Sequence, residues 1–197
     1  MTTTSLDPSR AKRLKALTRD THEVLDNSIM AKASFESIEG YGRFVLVQYL
    51  FHREIDALYG DAALQALLPE LPERRRLPLI TADLGDLGRS LPQSAEPPVF
   101  GEGGEVDVAA ALGWLYVAEG SNMGAALLRK EAAKMGLSDT HGARHLAPAP
   151  EGPAAHWRAF TAALDAVELT TSEEARVVAG ANAAFARVQA LANAQLG

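Results

Sequence analysis

Alanine fills 36 of the 197 positions, and 26 of the 36 fall within residues 99–197. Alanine is the strongest helix former, and leucine follows it closely. Strands instead want alternating β-branched and aromatic residues. The one short run of that kind, Pro98-Val99-Phe100, stops at Gly101. The chain therefore reads as all-α. Hydrophobic residues at 47% suffice for one buried core, and no linker divides the sequence. We expect a single domain over 1–197, with 1–8 flexible.

Several function classes fall away at once. Net charge is −6, which disfavours a wholly basic nucleic-acid binder. Cysteine is absent, so disulfides, cysteine zinc sites, iron–sulfur clusters, thiolate-ligated haem and cysteine nucleophiles are excluded. No apolar run is long enough to span a membrane, and Met1–Arg13 has no secretory h-region. A cytoplasmic location is the expectation.

The helices can be placed from caps and periodicity. Asp7 and Pro8 suit the start of the first, whose apolar stripe is Leu14, Leu17, Thr21, Leu25 and Ile29. A second is expected from about Ser37 to Tyr59, with Phe44, Val47, Phe51, Ile55 and Leu58 on its apolar face. A short one runs from Asp61 to Leu68, and another from Pro72 to Leu87, broken or kinked at Pro78. Residues 88–104 form a proline- and glycine-rich loop. Glu105–Met135 is proline-free and reads as one long helix interrupted near Gly120 and Gly124. Two more, Ala154–Val167 and Ser172–Leu196, close the chain, with Thr171 or Ser172 as the last cap.

Common catalytic motifs are missing. There is no phosphate-binding G-x-x-x-x-G-K-[ST], no G-x-S-x-G elbow, no H-E-x-x-H, and no E-x-x-H of a di-iron bundle. Two features remain. His22 sits on the first helix with Lys15 and Arg19 alongside and Asp26 one turn on. A neutral imidazole with a carboxylate on its other nitrogen suits haem iron, and two cations suit two propionates. An ordinary half-buried histidine fits the same spacing. The second feature is Glu119-Gly-Ser-Asn-Met-Gly-Ala-Ala126, with two glycines four apart. Each costs about 1 kcal/mol against alanine in a helix interior. Close approach of a flat ligand accounts for that, and so does tight helix packing.

Leu14-Lys-Ala-Leu-Thr-Arg-Asp-Thr-His22 resembles the proximal-helix segment of haem oxygenases. Trp114-Leu-Tyr-Val-Ala-Glu-Gly-Ser-Asn-Met-Gly-Ala-Ala126 resembles the distal-helix segment of bacterial members, and Tyr41–Leu50 and Gly142–Leu146 are similar to stretches of the same branch. The likeness runs from about residue 10 to 195. It implies a helical bundle with a kinked distal helix, haem as substrate and cofactor, and cleavage by O2 and an external electron donor (ferredoxin, flavoprotein reductase or ascorbate) to biliverdin, CO and iron. It implies His22 as the proximal ligand, Gly120 and Gly124 as the open distal backbone, and Ser121 and Asn122 beside the reacting face. Mammalian-type members carry aspartate after the first distal glycine. Ser121 stands there in this chain, so backbone carbonyls and ordered water are expected to supply protons. Lys15 and Tyr116 match an α-selective propionate arrangement, while Arg129 and Lys130 are cations for a rotated pose. Phe185 resembles an aromatic at the haem edge, or is a plain core residue.

A non-catalytic haem carrier or sensor on the same fold is the alternative. A thiamin-cleaving helical enzyme lacks its cysteine here. The remaining histidines read as core-edge (His52) or late-loop hydrogen-bonding residues (His141, His145, His156), and Arg74-Arg75-Arg76 as a solvated helix face.

Overall fold

The computed structural model describes residues 9–32, 35–93 and 96–197. The proposed cap at Asp7, Pro8, and the flexibility expected of 1–8 lie outside them. Helix α1 (Arg10–Leu17) is capped by Ser9, whose side chain accepts the Lys12 amide at 3.2 Å. After Thr18 the chain continues as α2 (Arg19–Lys32). The Thr18 hydroxyl donates back to the Leu14 carbonyl at 2.8 Å, a local competition that bends helices. The bend shifts the buried stripe to Leu14, Thr18 and Leu25. Leu17 is 63% exposed and Thr21 is exposed, so the stripe expected for a straight helix is corrected at those two positions.

Helix α3 (Ile38–Ile55) starts at a Ser37 cap and runs on into a 3-10 turn, Asp56–Gly60. Its apolar face, from Phe44 to Leu58, is buried as the spacing predicts. Asp61 caps α4 (Ala62–Leu67). The helix expected from Pro72 is instead a 3-10 turn, Pro72–Arg74, followed by α5 (Leu77–Asp86). Pro78 lies in the first turn of α5, where its missing N–H is harmless, so the interruption falls before it.

Asp107 caps α6 (Val108–Ser121), and α7 (Ala125–Lys134) follows after the turn at residues 122–124. The expected interruption of the long helix is therefore present. Helix α8 spans Pro153–Ala166 and α9 spans Thr171–Leu196. Thr170, not Thr171 or Ser172, caps α9, in a reciprocal capping box with Glu173. Arg10 ties the ends together. Its guanidinium donates to the carbonyls of Leu164 and Val167 at the end of α8 and pairs with Glu174 of α9 at 2.8 Å.

The long α9 is the spine, with α6, α3 and α2 packed against it. Its contact with α6 is backbone on backbone. A Cβ at Gly113 would lie 2.5 Å from the Ala181 amide nitrogen, and one at Gly180 would lie 2.9 Å from the Ala110 carbonyl carbon. Both glycines are therefore obligatory to this crossing. Ala109 and residues 111–118 of α6 are buried, on all sides of the helix, which explains their apolar character. A smaller core gathers Tyr41, Phe44, Ile80, Leu84, Leu137 and Leu146 beneath the segment that follows α7.

Overpacking a core costs about 1–3 kcal/mol, against about 1 kcal/mol that alanine returns in helix propensity. Gly180→Ala is therefore expected to lower the unfolding midpoint, as thermal denaturation followed by circular dichroism will show.

Candidate functional site

Two sequence-predicted groups sit on elements carried by α9. On one side is α2. His22 has a side chain 58% exposed, with Nε2 3.3 Å from Asp26 and its ring 5.6 Å from that of Phe185. Phe185 itself is buried in the core on α9, as its reading as a core residue expects, and it lies beside His22. The Ser28 hydroxyl accepts from the Gln189 amide at 2.9 Å, pinning α2 to α9 further along. Lys15 and Arg19 are exposed, and neither pairs with a carboxylate among the described residues.

On the other side is the end of α6. Tyr116, Gly120 and Gly124 recur at four-residue steps and share one face. Tyr116 is buried against Trp157, ring centroids 5.6 Å apart, and burial pushes its hydroxyl above the usual phenol value. The two glycines differ sharply from Gly113 and Gly180. A Cβ at Gly120 would meet only the Trp157 ring at an ordinary 3.5 Å, and one at Gly124 only the Ser121 carbonyl at 3.7 Å. Helix packing thus does not account for them. They leave a bare backbone surface flanked by exposed Met123 and Leu127, a cradle suited to a flat, apolar ligand.

The turn between α6 and α7 follows i to i−3 hydrogen bonds at Met123, Gly124 and Ala125. The Ser121 hydroxyl donates to the Ala118 carbonyl at 2.6 Å. Asn122 is half-buried on the wall of a cavity of about 640 Å³ that also meets Arg76, Lys130 and His156. Arg129 is held by Asp139 through bonds of 2.7 and 2.5 Å, whereas exposed Lys130 has no such partner among the described residues.

One pair escaped the sequence reading. Glu119 is buried, its carboxylate taken by Arg74 at 2.9 Å and by the Tyr59 hydroxyl at 3.2 Å. Burial, then Glu119 itself, holds that hydroxyl well above its usual value. The signal was present: Glu119 is the single charge between Asp107 and Arg129, and such a charge must find a buried partner. The arginine run is accordingly not a solvated face. Arg74 is buried, Arg75 makes bonds of 2.7 and 2.6 Å to Asp56, and Arg76 donates to the His145 carbonyl. The run sits on a turn rather than a helix face, so successive residues point to three different partners.

A family model described as haem oxygenase matches residues 9–194. The chain belongs to the haem oxygenase family. It is 41% identical over 178 residues to haem oxygenase PigA of Pseudomonas aeruginosa, covering 90% of this chain and 88% of that one. It superposes on the crystal structure of the NO- and CO-bound haem oxygenase of Neisseria meningitidis with a TM-score of 0.88 and 42% identity, over 96% of this chain and 92% of the other. The haem complex of Synechocystis haem oxygenase-1 shares the all-α fold at a TM-score of 0.68 and 16% identity, over 94% and 91% of the two chains. No helix among the described residues is long and apolar enough to cross a membrane.

The other histidines of this family member lie away from His22. His145 Nδ1 meets the buried Asp83 carboxylate at 2.7 Å, and His141 faces Asp86 at 3.6 Å. Burial works to raise Asp83, but bonds from the His145 ring and amide and from the Arg144 amide prevail and hold it below the usual range. His156 bonds Glu151 at 2.7 Å. His52 is buried, and its Nδ1 has no partner among the described residues. Burial lowers it from 6.5 to about 3, with Arg76 and His145 pushing the same way. A neutral His52 gains a proton only on unfolding across that window, so stability falls as pH drops from 6.5 toward 3. Urea midpoints at pH 7 and 4.5 should show a smaller acid loss for His52→Leu than for the parent.

Proposed function

We propose that this chain is a single-domain, cytoplasmic oxygenase that opens haem with O2 and electrons from an external donor, giving biliverdin, CO and ferrous iron. The observation that carries this reading is the pair of glycines, Gly120 and Gly124, which bare the α6–α7 backbone where no protein group requires it. A carrier could use the same face to seat its ligand, but only an oxygenase needs room beside the ring for O2. Bound haem supplies the iron that activates O2 and the ring that is cleaved.

The chain's own residues hold, orient and feed protons to that substrate. His22 is the proximal ligand. Asp26 steadies one ring nitrogen and leaves the other for the metal. Both side chains are more than half exposed, so their contact, made through Nε2, is worth at most about 1 kcal/mol. Phe185 supports the imidazole from α9. Lys15 and Arg19, free of carboxylate partners among the described residues, meet the propionates as charge-assisted donors. Tyr116 would offer its hydroxyl from the distal side and, with Lys15, would hold the substrate in the orientation that gives the α isomer. Lys130 is the cation a rotated pose would use; Arg129 is already engaged by Asp139.

On the distal side, Gly120 and Gly124 let main chain lie close to the ring. The Ser121 hydroxyl proton is committed to Ala118, so Ser121 shapes the kink rather than donating. Asn122, on the cavity wall, orders the water that delivers protons together with the carbonyls of the turn.

The purified protein should bind haem through one histidine and turn green on addition of ascorbate under air, with biliverdin IXα as the product of one turnover. Intact haem under those conditions would sink the oxygenase reading. His22→Ala is expected to lose the axial ligand and most turnover, with imidazole restoring the spectrum. Gly124→Val is the sharper test, because the fold has room for a Cβ there. That variant should melt like the parent yet lose at least about fivefold in haem affinity or turnover, the loss expected from about 1–3 kcal/mol of steric strain.

A further inference from the structure

We infer that Arg74 is a positioning residue for the distal wall, setting the azimuth of the Gly120–Gly124 backbone from a turn 45 residues upstream of Glu119. The consequence for haem rests on the oxygenase reading above; the mechanical part does not.

The geometry converges on one point. Arg74 Nη1 donates to Glu119 Oε2 at 2.9 Å, and Nη2 donates to the His156 carbonyl at 3.0 Å. Its guanidinium also lies 5.6 Å over the Phe160 ring. One side chain therefore joins α6, just before its break, to the first turns of α8. The next residues along both helices are the ones that meet: Gly120 follows Glu119, and Trp157 follows His156, with the Trp157 ring in contact range of Gly120. Tyr59 takes the second carboxylate oxygen at 3.2 Å, so Glu119 cannot swing.

A helix turns by about 100° per residue, so holding Glu119 fixes where Gly120 points and from what direction the chain enters the turn that carries Gly124. Regular α6 hydrogen bonding gives way at that place to i to i−3 bonds, which by themselves permit rotation. The arginine is itself held. It closes the 3-10 turn Pro72–Arg74, and its neighbours Arg75 and Arg76 are tied to Asp56 and to the His145 carbonyl. Stability alone would not select this pair. Burying two charges is often no better than packing apolar groups of similar size, and the attested use of such pairs is to specify geometry. Both side chains here are almost wholly enclosed, at 3% and 2% exposure.

The test uses the full chain and two variants, with Glu119→Leu as a control for melting. Arg74→Lys keeps a positive charge on Glu119 but loses the simultaneous bond to His156. The double variant Arg74→Met with Glu119→Leu removes both charges and keeps the volume. Hydrogen exchange of amides 120–125 is read on the haem-free protein beside thermal unfolding, and haem affinity is read by titration. Both variants should exchange at least about tenfold faster at 120–125, as loss of a charge-assisted hydrogen bond implies, while α9 stays protected. Haem affinity should fall by a similar factor, and the double variant, which leaves no buried charge unpaired, should melt above the single variant Glu119→Leu. Parent-like exchange or parent-like haem affinity in folded Arg74→Lys overturns the positioning role, since a purely structural pair would leave both in place. Should the double variant fail to fold, Arg74→Lys decides alone. Failure of the oxygenase reading appears elsewhere, as haem left intact by the parent chain under ascorbate and air.

Discussion

Everything in this fold that could hold a substrate is referred to one contact, the backbone crossing of α6 and α9 at Gly113 and Gly180. Without side chains at the crossing the two helices approach far closer than usual packing allows. The extensive burial that results makes α9 a rigid floor. From that floor α2 carries His22 against Phe185, and α6 carries Tyr116, Gly120 and the kink. A flat substrate between the two sides would be gripped by groups whose spacing α9 has already set. Such pre-organisation is what a site needs when its reacting face is bare main chain.

Charge is distributed on the same logic. Groups that build the fold are paired and buried: Glu119 with Arg74, Asp83 with His145, Glu54 with Arg187 at 2.5 Å. Cations proposed to meet substrate are exposed and unpaired among the described residues, as Lys15 and Arg19 are. The basic run of the first helix is therefore narrower in function than in composition. Arg10 and Arg13 serve Glu174 at 2.8 and 3.1 Å, in the joint between α1, α8 and α9. Lys12 is engaged as well, which leaves Lys15 and Arg19 as the two cations proposed to meet substrate.

The four glycines of α6, α9 and the kink show where sequence reasoning reaches its end. By sequence alone all four read as glycines within or beside helical segments, which helix propensity does not tell apart. The spacing of Gly120 and Gly124 marked them as a pair, but packing and ligand approach predict the same pattern. Only the tertiary neighbours separate the cases: backbone atoms crowd Gly113 and Gly180, while Gly124 meets nothing beyond its own turn. Helix existence was legible throughout, because alanine content, caps and proline positions are local. Boundaries slipped where a local contest was decided by one bond, as at Thr18, or by proline's tolerance of a first turn, as at Pro78.

By itself the sequence determined the all-α class, the interruption of the helix near Gly120 and Gly124, and the exclusion of every cysteine chemistry. Those follow from propensity and from residue inventory, which need no knowledge of the fold. The tertiary structure alone decided which arginine is buried, that Glu119 is its partner 45 residues on, and that no backbone of another helix crowds the distal glycines. The reason is physical: burial and pairing are set by which segments meet across the core, and residues far apart along the chain carry no local trace of that meeting.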